Sequence, residues 1–216
     1  MQIDRKRVQE DYDYQRGRVA KLEGSADNPT RAYSLFDAAL EVAGFGRALG
    51  KSAADLRSNL ETAAQAAISL FGMPRGGDTS QQNPDTFVRA AYAALIAGGP
   101  EELDALAKLP TEAYHTDQFE VSPEFDAYAT ALHRLLQDDT DAAGAAARDA
   151  MNARDAGVAA QAQALDALLR GDRETYEGAL KRLVELQLDA DPRDSATHLR
   201  LPVLGLQALA TRLGIE

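Results

Sequence analysis

From Val8 to Ile215 the apolar residues of this chain return every three or four positions. Val8, Tyr12, Val19 and Leu22 make one such stripe. Ala32, Phe36, Ala39, Leu40 and Ala43 make a second, and Leu56, Leu60, Ala63, Ala67 and Phe71 a third. Val88, Ala91, Tyr92 and Leu95 follow, then Phe125, Tyr128, Ala129, Leu132 and Leu136, then Tyr176, Ala179, Leu180, Leu183 and Val184. A 3.6-residue period puts each set on one face of an amphipathic helix. No segment alternates apolar and polar residues long enough to predict a strand. The fold class follows: all-α, an irregular array of antiparallel helix pairs of the tetratricopeptide kind.

Helix starts are legible between the stripes. Ser52 with Asp55 has the form of a capping box, and Asn83-Pro84, Ser122-Pro123 and Asp172 are further start signals. Three Ala- and Leu-rich helix pairs are predicted to turn at Gly98-Gly99, Asp138-Asp139 and Gly171-Asp172. The turns are spaced 40 and 33 residues apart, within the range of helix-pair repeats, which present extended protein-binding surfaces. Two stretches break the pattern. Residues 72–82 hold Gly, Pro, Thr, Ser and Gln, and residues 110–122 carry Tyr114, His115 and Phe119 among acids. We expect one all-helical domain over 1–216, with a mobile loop at 73–83 marking off an N-terminal sub-unit, 1–72. With 216 residues, 45% of them apolar, such a chain can bury a core without disulfides.

Charge narrows the classes of partner. The net charge is −11, which opposes direct binding to a nucleic-acid backbone. No run of apolar residues is long enough to span a bilayer, and residues 1–21 lack the apolar centre of a signal peptide. There is no cysteine, as suits a reducing cytoplasm. The excess is uneven. Residues 1–72 hold 10 basic and 10 acidic side chains, whereas residues 73–153 hold 5 basic and 14 acidic, a net of −9. Arg134 is the only Lys or Arg from 109 to 147. An acidic stretch is usually a solvated face, but one this uncompensated also suits docking to a basic protein. The candidate docking residues are Tyr114, Phe119, Glu120, Glu124, Asp126, Asp138 and Asp139. Tyr114, Phe119, Phe125 and Tyr128 fit either interface anchors or core.

Catalytic and cofactor signals are poor. The glycines at 44, 46 and 50 resemble a dinucleotide loop but follow a helix, and glycine caps at a helix end account for them better. Asp138-Asp139-Thr140-Asp141 starts like a calcium loop but lacks its glycine and closing glutamate, so a capped turn is expected. His115, His133 and His198 lie in separate segments without a second ligand at metal spacing. No nucleophile elbow is present. The expectation is a binding protein without catalytic residues, cofactor or metal.

The C-terminal quarter resembles the immunity protein 49 family, found beside toxins of bacterial polymorphic and contact-delivered systems. The resemblance is carried by Ala164-Leu165-Asp166-Ala167-Leu168-Leu169-Arg170-Gly171-Asp172, then Tyr176, Leu180 and Leu183. It continues in Leu201-Pro202-Val203-Leu204-Gly205-Leu206-Gln207-Ala208-Leu209-Ala210 and closes at Arg212-Leu213-Gly214-Ile215. It departs from the family at Leu186-Gln187-Leu188, where aromatic residues are expected. The resemblance implies an antidote that binds and neutralises a cognate toxin, with no catalysis and no cofactor. A helix-repeat scaffold or secretion chaperone is the alternative from the residues alone.

Overall fold

The computed structural model describes residues 4–74, 79–115, 120–188 and 198–215. Among them are ten α-helices and no strand. The N-terminal three are α1 (Arg5–Leu22), α2 (Pro29–Leu49) and α3 (Ala53–Phe71). Then come α4 (Pro84–Ala97), α5 (Pro100–Ala107), α6 (Pro123–Leu136), α7 (Thr140–Ala150), α8 (Ala156–Arg170), α9 (Arg173–Leu188) and α10 (Leu201–Arg212). A short 3-10 turn, Thr111–Ala113, interrupts the second predicted loop. No described helix is long and apolar enough to cross a membrane.

The caps explain the boundaries. Asn28, Asn83 and Ser122 each accept a hydrogen bond from the backbone N–H three residues on, at 3.0, 2.9 and 3.2 Å. Each is followed by a proline, whose missing N–H costs nothing in the first turn. Ser52 Oγ accepts from the Asp55 N–H at 3.1 Å. Asp55 answers by accepting from the Ser52 hydroxyl at 2.7 Å, a variation on the capping box. One expectation changes. The glycines at 44 and 46 do not end a helix: α2 runs through them, buried, and only Gly50 is its left-handed cap (φ 74°). Gly46 instead lets Tyr12 of α1 approach α2 closely, for a Cβ there would sit 3.3 Å from Tyr12 Cε2.

The three predicted helix pairs form as α4–α5, α6–α7 and α8–α9. Each turn needs a left-handed residue. Gly98 (φ 75°) and Gly171 (φ 68°) supply it in two of them, and Asp138 (φ 61°) in the third. An L-residue pays roughly 1–2 kcal/mol for that conformation, less for Asp than for most. Consecutive helices pack on one another from α1 to α4 and from α6 to α9, and α10 returns to lie on α4. The return requires Gly205: a Cβ at that position would collide with the Tyr92 ring. Tyr176 of α9 ties the same helix down by donating to the Leu206 carbonyl at 3.2 Å.

Helix α4 is the wall shared by the two halves, touching α3 on one side and α6 on the other. One contiguous apolar cluster runs from Val8 to Ala210, with Phe36, Phe87, Tyr92, Tyr114 and Tyr128 almost wholly enclosed. Arg89 joins α4 to α2 through Asp37 at 3.0 Å, its guanidinium 5.0 Å from the Phe36 ring centre. The predicted loop at 73–83 is described in part. Its end is held: buried Gln82 donates to the carbonyls of Leu70 and Met73, at 2.7 and 3.3 Å, satisfying the C-terminus of α3.

Candidate functional site

The predicted docking residues sit on and around α6. Its apolar side carries Tyr128, Ala129, Leu132, Leu135 and Leu136 into the core. That burial fixes the rotation of the helix and leaves its ends to solvent. Glu124 and Asp126 fall in the first turn, partly exposed, with Glu120 exposed just before it. Asp138 and Asp139 are exposed in the turn after the helix. Twelve residues separate Asp126 from Asp138, roughly 18 Å at the helical rise. The acidic segment is therefore two carboxylate groups at opposite ends of one helix, rather than one patch.

Each group has a local reason to exist. Carboxylates in the first turn of α6 meet the positive end of the helix dipole. Asp126 also lies 3.3 Å from His115 Nδ1. Asp139 caps α7 by accepting from the Ala142 N–H at 3.1 Å, so the residues resembling a calcium loop form the expected capped turn. Asp141, exposed in the first turn of α7, joins this second group. Its position three residues after Asp138 was the signal that would have placed it among the candidates. Among the described residues Asp138 caps no helix, and it occupies a costly conformation at an exposed position.

Two of the predicted aromatics belong to the core. Tyr114 and Tyr128 are both 0% exposed, so neither offers a ring to a partner. The reason is the 3-10 turn, which rolls Tyr114 inward onto Phe87 with ring centres 4.3 Å apart. Phe125 is half-buried against the core. Phe119 lies outside the described residues.

Beneath the acidic ends, α6 is held by uncharged polar groups. The Tyr114 hydroxyl donates to His133 Nδ1 at 2.9 Å. His133 Nε2 lies 3.2 Å from the Ala107 carbonyl, which can only accept, so the proton is on Nε2 and Nδ1 is free to accept. Gln137 Nε2 donates to the same carbonyl at 2.9 Å. Burial holds the His133 pKa below the ordinary value and keeps the ring neutral. Burial also pushes the Tyr114 phenol up, and the nearby Asp126 carboxylate adds to that shift. Deeper in, the Tyr92 and Tyr128 hydroxyls meet, and Tyr92 donates to Gln161 Oε1 at 3.1 Å. This network links α4, α6 and α8 without a net charge.

The α7–α8 contact is built differently. Asp166, buried to 3%, accepts from Arg148 Nη1 at 3.2 Å and from Arg170 Nε at 2.8 Å. In the sequence Asp166 stands only within the family-like segment, with no role of its own. The signal was an acid inside a Leu- and Ala-rich stripe with an arginine four residues later. Among the described residues, no three His, Asp or Glu side chains gather as a metal set. A cleft of about 470 Å³ opens between α1, α2 and α3, lined by Tyr12, Arg16, Glu23, Lys51 and Asp55 among others. Its mixed charge sets it apart from the predominantly acidic ends of α6.

No curated protein and no solved structure matches the chain. Residues 47–216 match the family described as Immunity protein 49, a span that reaches far beyond the C-terminal quarter and includes every acidic residue of the α6–α7 region.

Proposed function

Because the chain belongs to the immunity protein 49 family, we propose that it binds a cognate secreted bacterial toxin and neutralises it by protein–protein contact. It acts without catalysis and without a cofactor. The docking face is the acidic region at the two ends of α6, with Glu120, Glu124 and Asp126 as one group and Asp138, Asp139 and Asp141 as the other. The partner presents basic residues at both ends of a surface roughly 18 Å long, matching the helical rise between the groups.

One observation supports this reading above the rest: residues 73–153 carry a −9 excess, with a single Lys or Arg, Arg134, between 109 and 147, and among the described residues Glu120, Asp138, Asp139 and Asp141 are exposed and Glu124 and Asp126 partly so. Arg134 is exposed and reaches only Gln137, at 3.3 Å. Acids outnumber this one base on the face, and a predominantly negative potential raises the association rate with a basic partner and rejects acidic ones. Asp138 supports it too, since glycine does the same turn work elsewhere in the chain at lower cost.

The test is coexpression of the neighbouring toxin-like gene product with and without this protein, followed by binding of the purified pair. Growth rescue with nanomolar or tighter binding, about −12 kcal/mol, is expected. Micromolar binding without rescue would favour a scaffold or chaperone role instead.

A further inference from the structure

Helix α1 precedes the residues that match the family, and it packs chiefly on α2. It buries only Val8, Tyr12 and Val19. Its opposite side presents Tyr14, which at 66% is the most exposed large apolar residue among the described residues. At 3.6 residues per turn, Arg7, Tyr14 and Lys21 lie along one line, and Glu10, Asp11, Gly17 and Arg18 flank Tyr14 three or four residues away.

Three features of this stripe need a common cause. An aromatic ring stands in water on a helix that is otherwise strongly polar. A glycine sits in the helix interior, where it costs roughly 0.5–1 kcal/mol relative to alanine. Within the chain nothing requires that glycine, since a Cβ at position 17 would meet no atom within 4 Å. Finally, the charges next to Tyr14 are ordered: acids at Glu10 and Asp11 on its N-terminal side and a base at Arg18 on its C-terminal side, with Arg7 and Lys21 further out at the two ends.

We infer that this face docks a second copy of the same chain, α1 against α1, antiparallel about a two-fold axis at Tyr14. In that arrangement position 10 faces position 18 of the second copy, so Glu10 meets Arg18 twice over. Asp11 faces Gly17, whose missing side chain lets the helices approach and brings Arg18 of the second copy within reach. The two Tyr14 rings pack beside the axis. A parallel pairing would set acid on acid and base on base. Arg7 and Lys21 face each other at the outer ends, where long exposed side chains diverge into water. The contacts that must be given up are slight: Lys6 with Glu10 at 3.9 Å, and Arg18 with Gln15 at 2.9 Å, both at the surface. One pair of helices is a small interface, so the dimer is weak and forms at high concentration.

Sedimentation of the intact protein from micromolar to near-millimolar concentration should show mass rising from monomer toward dimer, less so in high salt. The variants E10K/D11K and R7E/R18E/K21E, which alter only residues outside the core, should each weaken self-association at least tenfold. Mixed together they should form a heterodimer, because one stripe is then wholly basic and the other wholly acidic. Tyr14→Ser should weaken association without changing its salt dependence. A wild-type chain that stays monomeric throughout would overturn the inference. So would charge variants that dimerise as well as wild type, or a mixture of the two that fails to pair. Toxin binding by the α6 region is a separate measurement and survives either result.

Discussion

The two exposed faces of this protein, on α1 and at the ends of α6, use similar residues to opposite effect. Along α1, bases and acids share one stripe around an exposed tyrosine, and residues 1–72 have no net charge. Around α6 the charge is predominantly negative, with Arg134 the lone Lys or Arg, and two of the aromatics beside it are turned into the core. A mixed stripe has a short-range pattern that selects a register but has little field beyond a Debye length. A one-signed face has no register of its own but steers a partner from a distance. The difference teaches that charge order, more than charge count, separates a surface suited to its own copy from one suited to a foreign partner.

The largest effect expected is one that destroys the comparison altogether. Helix α4 joins the two halves of the array, so Gly205→Ala, which drives a Cβ into the Tyr92 ring, should cost about 3 kcal/mol of stability, the upper end for overpacking. Denaturant titration would read it, and the loss should weaken both faces together. An unchanged midpoint would show that α10 can move off α4 freely.

Charge reversal sharpens the contrast. Replacing Glu120, Glu124 and Asp126 with Lys should slow association with the toxin at low salt by about 10- to 100-fold and flatten its salt dependence, with helix content intact. Reversing Arg18 and Lys21 on α1 should leave that rate alone. Equal effects at both faces in stopped-flow binding would remove the assignment of docking to α6.

A smaller effect concerns a single turn. Asp138→Gly relieves the left-handed strain that its sister turns avoid and should stabilise the fold by about 1 kcal/mol, while slowing toxin association. A variant that is stabilised but binds unchanged would assign Asp138 to neither role.

The smallest effect is the pH response of the support under α6. His133 is held neutral, with its folded pKa below the ordinary 6.5. As pH falls through 6.5 the unfolded imidazole takes up a proton and the folded one resists. Its contribution is therefore complete above that pH and is lost on acidification toward the lowered folded value. Comparing denaturation midpoints at neutral and mildly acidic pH, His133→Gln should show a shallower acid decline than wild type. No such support lies under α1, whose buried side is Val8, Tyr12 and Val19.

Much of this was legible along the chain. Periodicity and caps gave the helices because their causes act within a few residues: a stripe every 3.6 positions, an Asn or Ser with an N–H three residues on. The three turns were legible because glycine and aspartate are chemically suited to them. Uneven charge was legible because it needs only counting. The fate of the aromatics was not. Tyr114 and Tyr128 could stand in an interface or in a core, and local spacing is the same for both. Nor could counting show that the acids divide between two ends of α6.

Sequence alone thus determined the helical class, the starts and turns of the helices, the sign of the central surface and, through residues 164–215, the family. Tertiary structure decided which side chains vanish from that surface. It placed Tyr114 on Phe87, Asp166 between Arg148 and Arg170, and Gly205 under Tyr92, the last pair 113 residues apart in the chain. The physical reason is range. Hydrogen-bond caps and helical periods are satisfied by near neighbours, whereas burial is shared among segments that meet only once the array has closed.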